Sequence, residues 1–182
     1  MFESLRRQKF RRYFQPTRIM IAMVPAPLAT GVNPITLCFL THCSYKPPMI
    51  AFAIHDVNWS YDLFRSAREC VLAVPGESLA EETLQCGLKS GRHVDKVDAL
   101  GLRLCDSHEI RVPGLADCVA NVETEIAQTV STGDHLTVVA RVRRYGVNRA
   151  RAERTLLSVG PSHDGYELLA SRGVHRIGVV AR

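Results

Sequence analysis

Two apolar runs with almost nothing between them limit what this chain can fold into. ITLCFLTH (residues 35–42) and PMIAFAI (48–54) are separated by a short Cys-Ser-Tyr-Lys-Pro link. Runs this short, rich in β-branched and other strand-compatible residues, predict strands. Pro47 and Pro48 have no N–H to donate to a ladder, so they belong to a turn and a strand entrance. Both runs are apolar on alternate and intervening positions alike, so both faces are expected to be covered. One cover is a core; the other is a neighbouring subunit or an aromatic ligand.

The rest of the chain repeats the signal. IMIAMV (19–24), CVLAV (70–74), VANVETEIAQTV (119–130), HLTVVARVRRYGV (135–147) and TLLSVG (155–160) all predict strands. In the first of the two long runs, Val122, Thr124, Ile126 and Gln128 fall on one face. Glu123, Glu125, Ala127 and Thr129 fall on the other, expected to be wetter. Ser131-Thr132-Gly133-Asp134 is a turn between them, giving a long antiparallel hairpin. Helical signals are fewer. Residues 60–68 have Ser60 as N-cap; 77–87 have Ser78 as N-cap, Glu81 completing a capping box and Gly87 as a stop; 94–101 end in Gly101. Strands dominate and helices fall between them without regular alternation, which predicts a small antiparallel barrel decorated with helices.

At 182 residues, 46% hydrophobic and 23% charged, with no Gly/Ser or Pro-rich linker, a single globular domain is expected. Residues 1–16 form a basic segment. Arg6, Arg7, Lys9, Arg11 and Arg12 oppose Glu3 alone, interleaved with Phe2, Leu5, Phe10 and Phe14. A first amphipathic helix with a solvated basic face accounts for it better than organelle targeting or nucleic-acid binding. No apolar stretch approaches the roughly 18 residues of a membrane span, and no secretory signal is visible. The six cysteines form no Cys-x-x-Cys pair and no zinc-like spacing, so reduced thiols in a cytoplasmic setting are expected. A net charge of +5 suits a phosphate-bearing small molecule.

Four local features carry chemistry suited to a nucleotide-like cofactor. The Asn33 amide can donate and accept towards a heteroaromatic edge. Ser60 at a helix start offers a hydroxyl beside free N–H groups. SGRHVDK (90–96) brings Arg92 and Lys96 beside a glycine that lets the backbone come close, and Gly133-Asp134-His135 puts an imidazole on a hairpin tip. Singly, each has a plainer reading as a turn residue, a cap, a solvated charge or a strand end.

Their order changes the weighting. TGVNPITLCFLTHCSYKPPMIAFAI, then SYDLFRSARECVLAVP, SGRHVDK and CVANVETEIAQTVSTGDH, resembles the flavin reductase-like family with the FMN-binding split barrel, over roughly residues 17 to 147. The resemblance implies a mainly β, six-stranded antiparallel Greek-key split barrel, a homodimer with FMN at the subunit interface, and residues 148–182 as a C-terminal extension. It implies reduction of FMN, or FAD, by NADH or NADPH, with reduced flavin passed to a partner monooxygenase. Carried over residue by residue, Asn33, Thr36 and Phe39 would line the ring and ribityl chain. Ser60 and Tyr61 would face the phosphate, and Lys96 and His135 would complete the pocket, His135 on the nicotinamide side. No Gly-x-Gly-x-x-Gly follows a strand, so a nicotinamide would share the flavin pocket. Two other readings remain open: a tight FMN carrier or flavin enzyme acting on an organic substrate, and a non-enzymatic split-barrel binding module.

Overall fold

A computed structural model describes Ser4, Arg6 and residues 11–160 and 165–182. The basic helix expected over residues 1–16 lies largely outside the described residues; Arg11–Phe14 form one 3-10 turn. The strands, in chain order, are β1 (Thr17–Arg18), β2 (Met20–Pro25), β3 (Val32–Leu37), β4 (Leu40–Tyr45), β5 (Pro48–His55) and β6 (Glu69–Val74). They continue with β7 (Leu104–Cys105), β8 (Gly114–Leu115), β9 (Ala120–Thr132), β10 (His135–Val147), β11 (Leu157–Ser158), β12 (Tyr166–Arg172) and β13 (His175–Val180). Helices α1 (Trp59–Ser66), α2 (Ala80–Leu88) and α3 (Lys96–Ala99) sit between strands.

The main sheet has the order β3-β2-β6-β9-β10-β5-β4, and all its pairings are antiparallel. The run expected as a single strand over 35–42 breaks at Cys38-Phe39, and this break closes the barrel. Its first half pairs with β2 and its second with β5, so one bent segment supplies both ends of the strand order. Pairing therefore yields seven strands where six were expected, the sixth being split in two. Pro48 opens β5 opposite Tyr45, at the strand entrance assigned to it.

The doubly apolar runs have two covers. Inside the barrel, Ala22, Val24, Ile50, Phe52, Ile54, Leu72, Val122 and Val138 form the core, plugged by Phe64 of α1. Phe64 meets Phe52 edge-on at 5.4 Å, a favoured aromatic geometry. Outside, Ile21 and Met23 of β2 and Val71 and Ala73 of β6 are buried beneath Leu79, Cys86, Val97, Leu102, Ile110 and Leu115. Strand alternation thus sends neighbouring residues into two different cores, which is why IMIAMV and CVLAV carry no polar position.

Several local expectations change. Ser60 is not the N-cap of α1; Asn58 is, and Ser60 lies inside the first turn. The Ser78 and Gly87 signals mark no helix ends: residues 77–79 are 3-10, α2 begins at Ala80, and Gly87 lies within it. Ser78 N–H instead donates to the Glu153 carboxylate at 2.9 Å. Glu123, expected on a wet face, is 4% exposed. The loop after β7 folds over that face and donates the N–H groups of His108 and Glu109 to the Glu123 carboxylate at 3.1 and 2.7 Å. A buried carboxylate is tolerable only with such partners.

The strand expected over 155–160 is reduced to β11. It joins β1, β13 and β12 in a separate four-stranded sheet. That sheet packs Leu156, Ala170, Ile177 and Val179 against Ile19 and against Ala80 and Leu84 of α2. The C-terminal segment therefore braces the helix that backs the barrel.

Candidate functional site

A cleft of about 80 Å³ opens between the start of α1, the end of α2 and the segment leading into α3. Ser60, Trp59, Cys86, Gly87, Lys89, Gly91 and Lys96 are among the residues that line it. Three of the expected site residues converge here. Asn33 enters β3 and is 1% exposed, and its Nδ2 donates to Ser60 Oγ at 2.8 Å. Lys96, the first residue of α3, is 2% exposed and donates from Nζ to the Cys86 carbonyl at 3.0 Å.

The electrostatics of the cleft are those of an incomplete site. Lys96 has three N–H donors, and among the described residues only the Cys86 carbonyl accepts from them. Burial pulls its pKa down to about 8, with the nearby Cys86 thiol a smaller opposing influence. Asn33 Oδ1 is buried with no hydrogen-bond partner among the described residues. Two buried polar groups with unused capacity are costly unless something else engages them. The Cys86 thiol offers no nucleophile, because burial pushes its pKa up to about 12.

Asn33 and Thr36, expected along a ligand ring, form the layer behind the cleft wall. The Thr36 hydroxyl donates to the Thr83 carbonyl of α2, and Gly87 packs against the Thr36 side chain. The close backbone approach expected at Gly91 is real, but what approaches is the Asn33 amide. A Cβ added there would lie 2.0 Å from Asn33 Oδ1. Arg92 turns away, its guanidinium 3.5 Å from Asp62. Tyr61, expected on the phosphate side, is partly buried against the barrel core.

Phe39 and His135 make a second group at the end of the β9–β10 hairpin. Their rings stack at 5.5 Å, and His135 Nδ1 lies 2.6 Å from Asp134 Oδ1. His55, directly across the β5–β10 ladder, brings a second imidazole within 4.8 Å. The His55 Nδ1 accepts the N–H of Val57 at 3.2 Å, and Val57 lines the cleft. The two groups are thus joined through one turn. Sequence reasoning missed Trp59 and His55. Trp59 adjoins Ser60 and is the only tryptophan; its position beside a candidate anion seat was the available signal. His55 had none, since its place beside His135 comes from strand register.

The flavin reductase like domain model matches residues 10–169. An uncharacterized protein of Archaeoglobus fulgidus is 29% identical over 132 residues, covering 71% of this chain and 72% of its own. An FMN-binding protein of Thermus thermophilus, solved with bound p-hydroxybenzaldehyde, superposes with a TM-score of 0.77 at 21% identity. That match covers 100% of this chain and 98% of the other. An NADH:FAD oxidoreductase of Streptomyces globisporus superposes at 0.73 and 18% identity, covering 86% and 92% of the two chains. At these identities the two structures speak for the fold. The family match spans the barrel and the cleft and ends within β12, and the protein belongs to the flavin reductase-like domain family.

Proposed function

We propose that the protein is an NAD(P)H-dependent flavin reductase that takes FMN into the cleft and hands reduced flavin to a partner monooxygenase. The observation that carries the flavin assignment is Lys96: a buried ammonium, opening onto a cleft, with N–H capacity uncommitted. An anionic, acceptor-rich ligand satisfies it, and the Ser60 hydroxyl stands in the same wall. The fit is to one end of such a molecule only. Pockets that enclose a cofactor-sized ligand span about 300–1,000 Å³, whereas this cleft measures about 80 Å³.

The remaining cover is best supplied by a second copy of the chain. Met49, Ala51 and Ala53 alternate along β5 with the buried Ile50, Phe52 and Ile54, and so face outwards. Thr137 and Val139 of β10 lie opposite Ala53 and Ala51 in the ladder. This half-buried, mostly apolar strip suits a homodimer seam. A cytoplasmic setting, with the cysteines as thiols, is part of the same proposal.

Held by Lys96 and Ser60, the flavin would supply two-electron redox chemistry. Lys96 compensates negative charge at the cleft end, and Ser60, oriented by the Asn33 amide, offers its hydroxyl beside it. Asp134 engages Nδ1 of His135 and leaves Nε2 to orient the nicotinamide.

Titration with FMN is expected to quench the fluorescence of Trp59, the sole tryptophan and a lining residue of the cleft. Anaerobic NADH or NADPH is then expected to bleach the visible spectrum of the complex. Absence of quenching at saturating FMN rejects the cleft as the flavin seat. His135→Ala is expected to slow single-turnover reduction about tenfold while leaving the FMN dissociation constant within about twofold. Equal losses in both measurements assign His135 to flavin binding instead.

A further inference from the structure

Lys96 owes its place to the residue before it. Asp95 caps α3, its Oδ1 accepting the Val97 N–H at 3.1 Å. The same carboxylate accepts the Thr30 N–H at 3.1 Å and the Thr30 hydroxyl at 2.9 Å on Oδ1 and 2.7 Å on Oδ2. Burial works against ionisation of Asp95, but the Thr30 hydroxyl and N–H and the Val97 N–H outweigh it and hold the carboxyl below its usual range.

Thr30 belongs to the tight turn that delivers the chain into β3. Ala26 N–H donates to the Gly31 carbonyl at 2.9 Å, and Gly31 takes the left-handed conformation at φ 75°. Asn33 follows three residues after Thr30, and Lys96 follows Asp95 directly. The segment 90–96 therefore meets the start of β3 at two places: Gly91 against the Asn33 amide, and Asp95 on Thr30. The first is a steric contact and the second a polar lock.

We propose that the Thr30–Asp95 lock is the positioning device of the cleft, holding Lys96 under cover where it meets the anionic end of the ligand. This rests on the assignment of the cleft as a flavin seat. Neither residue lines the cleft; both act through Lys96.

FMN binding, followed by Trp59 fluorescence across pH 7 to 9.5, separates positioning from mere stabilisation. In the wild-type protein affinity is expected to fall as pH rises past about 8, where Lys96 loses its proton. Asp95→Ala and the milder Thr30→Val are expected to weaken binding about tenfold at pH 7, the equivalent of one charge-assisted hydrogen bond. They are also expected to move the alkaline fall upwards, because a lysine released to solvent titrates nearer its ordinary value. Thr30→Ser keeps the hydroxyl and is expected to restore both properties. Variants that melt earlier but keep the wild-type dissociation constant and alkaline midpoint overturn the proposal and leave the lock purely structural. A Lys96→Met protein that binds FMN as well as the wild type does overturns the flavin assignment itself, and the lock's role with it.

Discussion

Lys96→Met is expected to weaken FMN binding severely and, at the same time, to make the ligand-free protein more stable. The two effects have one cause. Folding buries the ammonium with a single carbonyl partner, and its pKa falls from 10.5 to about 8. A shift of that size corresponds to about 3 kcal/mol of unfavourable burial at neutral pH. Removing the ammonium also strips the Cys86 carbonyl of its partner, which costs about 1 kcal/mol. The net gain of about 2 kcal/mol corresponds to a rise of roughly 4–8 °C in melting temperature for a chain of this length.

The pH dependence fixes the sign. Between pH 8 and 10.5 the unfolded chain holds a proton on Lys96 that the folded protein has released. Raising the pH through that window therefore favours folding of the wild-type protein. The advantage of Lys96→Met is full below pH 8 and vanishes as the pH approaches 10.5. FMN affinity is expected to drop roughly 30–100-fold in the same variant, since a desolvated charge-assisted contact is lost. Paired melting curves at pH 7 and pH 10 with FMN titrations check both halves. A variant that is destabilised at pH 7 contradicts the uncompensated burial of Lys96, and so removes the ground for placing a ligand there.

What the sequence disclosed and what it hid divide along physical lines. The strands β2, β5, β6 and β10 were visible within a residue or so, because periodicity and punctuation are local properties of the chain. Asn33, Ser60 and Lys96 could be named because their residue types stood in a characteristic order. The closure of the barrel was not visible. Nothing in Cys38-Phe39 signals that a continuous apolar run bends there; the bend exists because β2 and β5 lie on opposite sides of it. Glu123 looked like a solvent-facing member of an alternating strand, and only the loop over residues 106–113 makes that face interior. Ser60 looked like a cap, since Ser, Thr, Asp and Asn before a helix usually are. Its hydroxyl instead serves Asn33, an interaction across 27 residues that no local pattern encodes. Tyr61 enters the expected site through the family resemblance, together with Ser60, and a sequence motif does not say which way each side chain of a helix faces. Trp59 and Tyr61 flank Ser60, and the structure gives the cleft to Trp59.

Gly91→Ala is expected to be among the most damaging single-methyl changes in the protein. The new Cβ would lie 2.0 Å from Asn33 Oδ1, 2.8 Å from Asn33 Cγ and 3.0 Å from Trp59 Cζ3. The new methyl cannot turn aside, because a Cβ position is set by the backbone, so its neighbours must move. Either Asn33 leaves Ser60, or the 90–96 segment lifts away from β3 and carries Lys96 with it. Both outcomes break the cleft, and overpacking of this kind costs about 1–3 kcal/mol. FMN quenching of Trp59 is expected to be lost along with that stability. The steric account makes a further demand: cutting Asn33 back to alanine creates the missing space. Asn33→Ala alone is expected to destabilise, since Ser60 loses its donor, but combined with Gly91→Ala it is expected to recover at least about 1 kcal/mol over the sum of the single changes. FMN binding is not expected to return, because the layer that orients Ser60 is gone. Simple additivity of the two changes in denaturation would mean that Gly91 is needed for some property of its backbone rather than for the amide packed against it.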